Sequence, residues 1–215
     1  RDGAGDWIKG WSVLGPVSEI AVTVRGTVDT TDLAGVLRGH RESVPPECYL
    51  RSTSPTTADA ALLDLARCVD GAADVLDAAH RISEAVAGAI AYCPGATQAH
   101  TTAAEALALS EGVCQDHAHA VLAMARSRGM PARYVAGYLH SGADGPAHEA
   151  AHAWAEIYVP GAGWINFDPT NRSIGGFNLV PVAVARDITL LMPVSGSYVG
   201  ATDAFAGMEV EVRVA

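Results

Sequence analysis

A cysteine, a histidine and an aspartate are spaced along the sequence so that they could act together as nucleophile, base and orienting group. Cys114 stands at the predicted start of a helix, and His152 and Asp168 stand on two predicted strands further along the chain. A thiolate attacks a carbonyl carbon, an imidazole carries the proton, and a carboxylate keeps the imidazole in one tautomer. The three residue types together indicate covalent acyl transfer at a cysteine.

Cys114 belongs to the segment Gly-Val-Cys-Gln-Asp-His-Ala, residues 112–118. In the first turn of a helix, the helix dipole and the free N–H groups favour a thiolate, and the same N–H groups can hold an oxyanion. We expect the backbone N–H of Cys114 to be one such donor. A buried structural cysteine at a helix start is the alternative interpretation, and this segment alone does not decide between the two.

The strands that carry His152 and Asp168 favour the catalytic interpretation. Residues 152–159 alternate in polarity, which puts His152 and Trp154 on one face of a strand. A Pro-Gly-Ala-Gly turn follows, and the chain returns to Asp168. A hairpin centred near residue 160 or 161 places His152 opposite or diagonal to Asp168 on the same face. Each residue alone is typical of a surface histidine or a turn aspartate, but their joint placement favours a catalytic pair.

Helices and a sheet must position these residues. A first helix is predicted to begin after a cap at Thr56 or Thr57 and to include residues 61–69. Further helices are predicted over about residues 73–92, 102–109 and 114–127, and strands over about 133–139, 153–159 and 164–167. Thr101 or Thr102 is the expected cap of the third helix, and Thr102 with Glu105 matches a capping box. Two further apolar runs lie near residues 188–191 and 208–214. Helices followed by consecutive strands predict an α+β fold, with an antiparallel sheet against a helical layer.

The N-terminal part of the chain has a different pattern. Residues 20–28 alternate and predict a strand, which indicates the end of a preceding β domain. Prolines at 45, 46 and 55 interrupt residues 29–56 and predict a linker over the surface of the next domain. We therefore divide the chain into a partial N-terminal β segment with its linker, residues 1–46, and a catalytic core, residues 47–215.

Four segments, in order, resemble the core of the bacterial transglutaminase-like superfamily. They read Gly-Val-Cys-Gln-Asp-His-Ala (112–118), Gly-Met-Pro-Ala-Arg-Tyr-Val-Ala-Gly-Tyr (129–138), His-Ala-Trp-Ala-Glu (152–156) and Trp-Ile-Asn-Phe-Asp-Pro-Thr (164–170). The resemblance covers roughly residues 47–200. It implies a papain-like α+β fold and a catalytic triad of Cys114, His152 and Asp168.

The resemblance also bears on residues around the triad. We expect Trp154, Gln115 and Tyr138 to contact the substrate, with core packing as the alternative for Trp154. Relatives often carry Gly-Arg-Asp-Tyr after the triad, whereas this chain has Ala-Arg-Asp-Ile at residues 185–188. This difference puts in doubt any role of the missing tyrosine, but it does not affect the triad. His117 stands where an aromatic residue is common, and we expect it to be a partly buried helix residue.

The composition excludes several classes of partner. Lysine and arginine count 14 against 24 acidic residues, a formal charge of −10, so the chain lacks the basic surface that nucleic acid requires. The sequence contains no apolar run of about 18 residues, so we expect no membrane span. No signal peptide is visible and we expect a cytoplasmic protein, although the chain begins at Arg1, which leaves a processed or omitted N-terminus open.

The other cysteines do not predict a metal or redox motif. Cys48, Cys68 and Cys93 form no Cys-x-x-Cys pair with one another or with Cys114, which disfavours a zinc ribbon or a thioredoxin-like site. We expect these three to be small buried hydrophobic residues, with disulfides among them left open. No Asp-x-Asp-x-Asp-Gly calcium loop is present, so we expect neither a metal nor another cofactor.

The acceptor of the acyl group decides which reaction the chain catalyses. The expected substrate is a protein or peptide carboxamide, either a glutamine side chain or a peptide amide. An amine acceptor would make the protein a transglutaminase, and water would make it a protease, amidase or deamidase. The sequence favours neither acceptor over the other.

Two other classes remain as alternatives. A metal hydrolase could draw ligands from Cys114, His117, His119, His148 and His152, but a helix places His117 and His119 about 200° apart, which disfavours a shared metal. A non-catalytic binding module with the same fold is the second alternative, and the complete triad argues against it. The acidic, glycine-containing stretch 141–147 is expected to be a mobile loop near the site.

Overall fold

The computed structural model describes residues 7–37, 44–140, 151–175, 178–191, 196–197 and 199–200. Its helices are α1 (Ala60–Leu65), α2 (Val75–Ala89), α3 (Ala103–Leu109) and α4 (Cys114–Ser127). Its strands are β1 (Val36–Leu37), β2 (Ala91–Tyr92), β3 (Glu111–Gly112), β4 (Ala132–Leu139), β5 (Ala151–Val159), β6 (Gly163–Phe167) and β7 (Leu179–Ala185). The four helices precede the long strands β4, β5 and β6, as the sequence predicts, whereas the two-residue strands β1, β2 and β3 do not follow that order.

Side-chain caps set where the helices begin. Thr102 accepts from the N–H of Glu105, and the Glu105 carboxylate accepts from the N–H of Thr102, so the predicted capping box is confirmed. The predicted cap of the first helix at Thr56 or Thr57 is wrong, because Asp59 accepts from the N–H of Leu62 instead. The second helix is shorter than predicted, since Asp74 caps it and the chain after Ala89 turns into β2.

Five strands form an antiparallel sheet in the order β1-β6-β5-β4-β7. The β5–β6 hairpin pairs Ile157 with Ile165, which centres it on residue 161, within the predicted range. Strand β7 was not predicted, and it lies on the outer edge of the sheet, where Pro181 is tolerated. Strands β2 and β3 form a separate parallel pair, in which β3 lies directly before α4.

The main core lies between α4 and one face of the sheet. Buried residues of α4, including Val121 and Leu122, pack with the inward positions of β5 and β6, such as Ile157 and Phe167. The opposite face carries a smaller cluster around Trp154 and a buried Arg133–Glu156 ion pair at 2.5 Å. The predicted α+β class, with an antiparallel sheet against a helical layer, is therefore confirmed.

The N-terminal segment differs from the prediction. Residues 7–33 form neither helix nor strand, so the predicted strand over residues 20–28 is not formed, and most of their large apolar side chains are exposed. A single hairpin without further strands is marginal, which accounts for the difference. Part of the predicted linker belongs to the sheet, because Val36–Leu37 pair with Ile165 and Trp164 of β6. The division at residue 46 stays a prediction.

Other predictions concern the tail and the cysteines. Ile188–Leu190 form a 3-10 turn, and the apolar run at 208–214 lies outside the described residues. All four cysteines are free thiols. Cys48 is exposed and Cys68 and Cys93 are half-buried, so the prediction that these three are buried is wrong. No helix within the described ranges is both long enough and apolar enough to cross a membrane.

Candidate active site

Cys114 is the first residue of α4, and the turn around it is built by Asp116. One oxygen of Asp116, Oδ2, accepts from the N–H of Val113 at 2.8 Å and from the Thr97 hydroxyl at 2.5 Å. A Cβ on Gly112 would lie 2.8 Å from the Cβ of Asp116, so only glycine fits there. Burial raises the pKa of the Asp116 carboxyl, while its hydrogen bonds with Thr97 and Val113 oppose that shift.

The capped turn leaves two backbone donors beside Cys114. The N–H groups of Asp116 and His117 both point to the carbonyl of Val113. Neither the N–H of Cys114 nor that of Gln115 has an acceptor among the described residues. The first turn of a helix leaves such N–H groups free, and they point along the axis toward any negative charge placed there. Two donors for an oxyanion are thus available, of which the sequence predicted one.

His152 and Asp168 lie in direct contact on the face of the sheet that carries Trp154. Nε2 of His152 is 2.7 Å from Oδ2 of Asp168, and both side chains are nearly buried, with 7% and 1% of their surfaces exposed. Asp168 follows β6 directly and pairs through its backbone with Ser173. In the observed hairpin register the two residues are diagonal neighbours, one of the two predicted arrangements.

The environment of His152 favours the imidazolium. Burial opposes the charged form, but hydrogen bonds to Asp168 and Cys114 and the charges of both groups outweigh it and raise the pKa of His152 to about 9. Nε2 of His152 contacts Asp168, and the Cys114 thiol is a second hydrogen-bonding partner of the same ring. The imidazole therefore has both a sulfur and a carboxylate as partners, as nucleophilic catalysis by cysteine requires.

Trp154 supports the imidazole rather than facing solvent. Its ring stacks on His152 with centroids 5.9 Å apart and an interplanar angle of 28°, and its Nε1 donates to Oδ1 of Asn166 at 3.1 Å. A Cβ on Gly137 would lie 2.7 Å from the indole, so this glycine makes room for it. Trp154 is fully buried, as the core-packing alternative predicts. Its contact with the substrate stays a prediction.

The two other predicted substrate contacts lie in different surroundings. Gln115 is buried beside Cys114, and its amide donates to the carbonyl of Ala99 at 3.1 Å. Tyr138 is half-buried on β4, opposite Ala151 in the register of β5. The substrate-binding role of both residues stays a prediction.

His117 and His119 occupy separate places. His117 is buried; its Nε2 donates to the carbonyl of Ile90 at 3.0 Å, and its Nδ1 accepts from the Thr170 hydroxyl at 2.8 Å. His119 lies near the N–H of Ile188, and burial lowers its pKa to about 4. Within the described ranges, no group of three or more His, Cys, Asp or Glu residues could hold a metal ion. His148 and the stretch 141–147 lie outside those ranges.

The segment after Asp168 contains contacts that the sequence analysis missed. Nδ2 of Asn171 donates to Oδ2 of Asp168 at 2.7 Å, and Arg172 donates to the carbonyl of Ala87 at 3.0 Å. The only sequence signal was the spacing of three residues between Asp168 and Asn171, which is typical of an aspartate-initiated turn. The turn residues therefore join the sheet, α2 and α4 at the site.

The central part of the chain is similar to known proteins. The profile of the Transglutaminase-like superfamily matches residues 64–169. An uncharacterised protein of Mycobacterium leprae (strain TN) is 40% identical over 125 residues, which cover 55% of this chain and 44% of the relative.

A solved structure shares this fold. A proposed cysteine protease from Cytophaga hutchinsonii is 29% identical, with a TM-score of 0.56, over 66% of this chain and 47% of that chain. The periplasmic domain of TgpA from Pseudomonas aeruginosa is 23% identical, with a TM-score of 0.48, over 59% of this chain and 47% of that chain. The chain thus spans less than half the length of these relatives. Over residues 64–169, the chain belongs to the transglutaminase-like superfamily.

Proposed function

We propose that this protein transfers acyl groups from carboxamides through a thioester on Cys114, with His152 as the base and acid and Asp168 as its orienting group. The observation that carries the proposal is the imidazole of His152, which is hydrogen-bonded to both Cys114 and Asp168 at the N-terminus of α4. A nucleophile, a proton carrier and an orienting carboxylate in contact are the components of cysteine-based acyl transfer.

The first half of the reaction forms the thioester. The sulfur of Cys114, paired with the imidazolium of His152, attacks the carbonyl carbon of a glutamine side chain or peptide amide. The N–H groups of Cys114 and Gln115 stabilise the oxyanion, since both lack other acceptors among the described residues. His152 then gives its proton to the nitrogen as the C–N bond breaks, so that ammonia or an amine leaves.

The second half releases the acyl group. His152, now neutral, removes a proton from the incoming nucleophile, which attacks the thioester carbon and expels the sulfur of Cys114. An amine gives a new amide, and water gives a carboxylic acid. Hydrolysis is the second candidate function, and it is favoured by the 29% identity to the proposed cysteine protease from Cytophaga hutchinsonii.

The thiol–imidazole pair can be tested before a substrate is known. A low dose of iodoacetamide, followed by intact-mass analysis and peptide mapping across a pH series, compares Cys114 with the other three cysteines, which act as internal controls. We expect rapid single labelling at Cys114 that persists below the pH at which ordinary thiols, with pKa near 8.5, react. His152→Ala should slow labelling of Cys114 and leave Cys48 unchanged. Equal, slow labelling of all four cysteines in both proteins would contradict the proposal.

The acceptor is identified by a second assay. Glutamine-containing peptides are incubated with the wild-type protein, with and without a biotinylated primary amine, and ammonia release and biotin incorporation are measured together. Ammonia release with biotin incorporation identifies an amine acceptor, and ammonia release without it identifies water. Cys114→Ala, with an unchanged circular dichroism spectrum, is the control and should abolish both signals.

A further inference from the structure

We propose that Asn171 is a positioning residue of this site, whose side-chain amide holds Asp168 against His152. The inference rests on the proposed function, since it assigns a role toward the same His–Asp pair. Asn171 lies three residues beyond Asp168, outside the strands that carry the pair. Its role comes from the turn that brings its side chain back to the carboxylate.

Asn171 supplies donors to both oxygens of Asp168. Its Nδ2 donates to Oδ2 at 2.7 Å, and its backbone N–H donates to Oδ1 at 3.3 Å. Oδ2 is also the oxygen that lies 2.7 Å from Nε2 of His152. A carboxylate oxygen has two lone-pair positions, so the imidazole and the amide together occupy those of Oδ2. The amide therefore fixes the rotation of the carboxylate that receives the imidazole.

The orientation of the amide follows from its surroundings. A carboxylate only accepts hydrogen bonds, so the amide must present its NH2 group, and not its oxygen, to Asp168. Nδ2 of Asn171 also lies 3.3 Å from Nε2 of His152. Because Nε2 already donates to Asp168, this second contact is between two donors that converge on one oxygen. Asp168 is buried and His152 nearly so, whereas Asn171 is exposed, so the amide lies on the solvent side of the pair.

The backbone of Asn171 is held in place on both sides. Before it, the Thr170 hydroxyl donates to His117 of α4 at 2.8 Å. After it, Arg172 donates to the carbonyl of Ala87 at 3.0 Å, at the end of α2. A side chain on a fixed backbone loses less conformational entropy when it binds its partner, so the Asn171 amide is preorganised for Asp168.

The test measures the exchange of the imidazole proton, and this measurement needs no substrate. Protein labelled with 15N-histidine is compared as wild type, Asn171→Ala and Arg172→Ala, and the solvent exchange of the His152 Nε2 proton is measured by NMR. A hydrogen bond to a charged group is worth enough to change exchange by about tenfold or more, so we expect that acceleration in Asn171→Ala. Arg172→Ala, which loosens the same turn without touching Asp168, should stay within about twofold of wild type.

A near-isosteric variant separates positioning from packing. Asn171→Asp keeps the shape, removes the donor and adds a carboxylate beside Nε2 of His152. The titratable groups that already face His152 are Cys114 of α4, His117 of α4 and Asp168. The added negative charge should raise the pKa of His152, which the 15N chemical shifts of its ring report across a pH series, while Asn171→Ala should slow Cys114 alkylation by iodoacetamide near neutral pH by about tenfold.

Two results would overturn the inference. One is an unchanged exchange rate of the His152 proton in Asn171→Ala. The other is an equal acceleration in Arg172→Ala, which would show that the turn as a whole, and not the amide, holds the pair. Failure of the proposed function looks different. If Cys114 of the wild type reacts with iodoacetamide no faster than Cys48, the proposal of acyl transfer is contradicted. The exchange of the His152 proton would still decide the role of Asn171.

Discussion

His152 experiences opposing effects, and their balance determines the pH range of the site. Burial favours the neutral ring, while Asp168 and Cys114 favour the charged one and raise its pKa to about 9, from an ordinary value of 6.5. A raised histidine pKa stabilises the folded state fully below pH 6.5, and this contribution is lost as the pH rises through about 9. The charged ring, and with it the ion pair proposed with Cys114, therefore persists into the alkaline range.

Replacing the carboxylate tests this balance. Asp168→Asn keeps the shape but removes the negative charge, so the pKa of His152 should fall. The 15N chemical shifts of the His152 ring, measured by NMR across a pH series, report the pH at which the ring loses its proton. Asp70→Asn, a change at an exposed carboxylate that pairs with Arg128, serves as control and should leave that pH unchanged. The same deprotonation pH in wild type and Asp168→Asn would show that Asp168 does not favour the charged imidazole.

Among the elements, the entry into α4 has the least room for change. Gly112 stands against the Asp116 side chain, which in turn holds the N–H of Val113 and the Thr97 hydroxyl. Gln115 ties the same turn to the carbonyl of Ala99. The helix that presents Cys114 is thus fixed at its first turn by the loop that precedes α3.

Gly112→Ala should disturb this turn, while a second glycine provides a matched control. The added Cβ must displace Asp116, so we expect a loss of about 1–3 kcal/mol in the free energy of unfolding and slower alkylation of Cys114. Gly88, inside α2, has nothing within 4 Å of its Cβ position, so Gly88→Ala should raise stability by about 0.5–1 kcal/mol. Urea unfolding measures both. Equal stability of the two variants would contradict a steric role for Gly112.

Local patterns in the sequence predict these elements to different degrees. Helix α4 and the β5–β6 hairpin were predictable because apolar periodicity and turn residues mark them, and the His152–Asp168 contact follows from the hairpin register. Strand β7 was missed because Pro181 interrupts it and its edge position imposes little alternation. Asn171 could not be predicted, since its contact with Asp168 depends on a turn that α2 and α4 hold in place.

At the scale of the whole molecule, the buried side chain of Arg126 joins parts of the chain that are far apart in sequence. Its guanidinium donates to the carbonyl of Tyr49, the Thr56 hydroxyl and the carbonyls of Ala132 and Arg186. Burial lowers the pKa of Arg126 to about 10, so the charge is kept at neutral pH. One side chain of α4 therefore holds together the 3-10 turns Pro46–Leu50 and Ser54–Thr56, the start of β4 and the end of β7.

Removal of this guanidinium should affect the entire fold. Arg126→Met leaves several buried acceptors without donors, so we expect a loss of about 3 kcal/mol or more in the free energy of unfolding, measured in urea. Arg128→Met provides the comparison, because Arg128 pairs with Asp70 at the surface and its removal should cost less than about 1 kcal/mol. A loss in Arg126→Met no larger than in Arg128→Met would show that the four acceptors find other partners.

The two-residue strand β1 has a practical consequence for anyone who expresses part of this chain. It covers the free side of β6, where Val36 and Leu37 pair with Ile165 and Trp164. A fragment cut to residues 64–169, the region of the family match, lacks β1, and it also lacks β7, the opposite outer strand. Its sheet would present unpaired backbone on both sides, and such fragments tend to self-associate strand to strand. Dimers or aggregates of that fragment would result from the loss of β1 and β7 and would not indicate how the longer chain assembles.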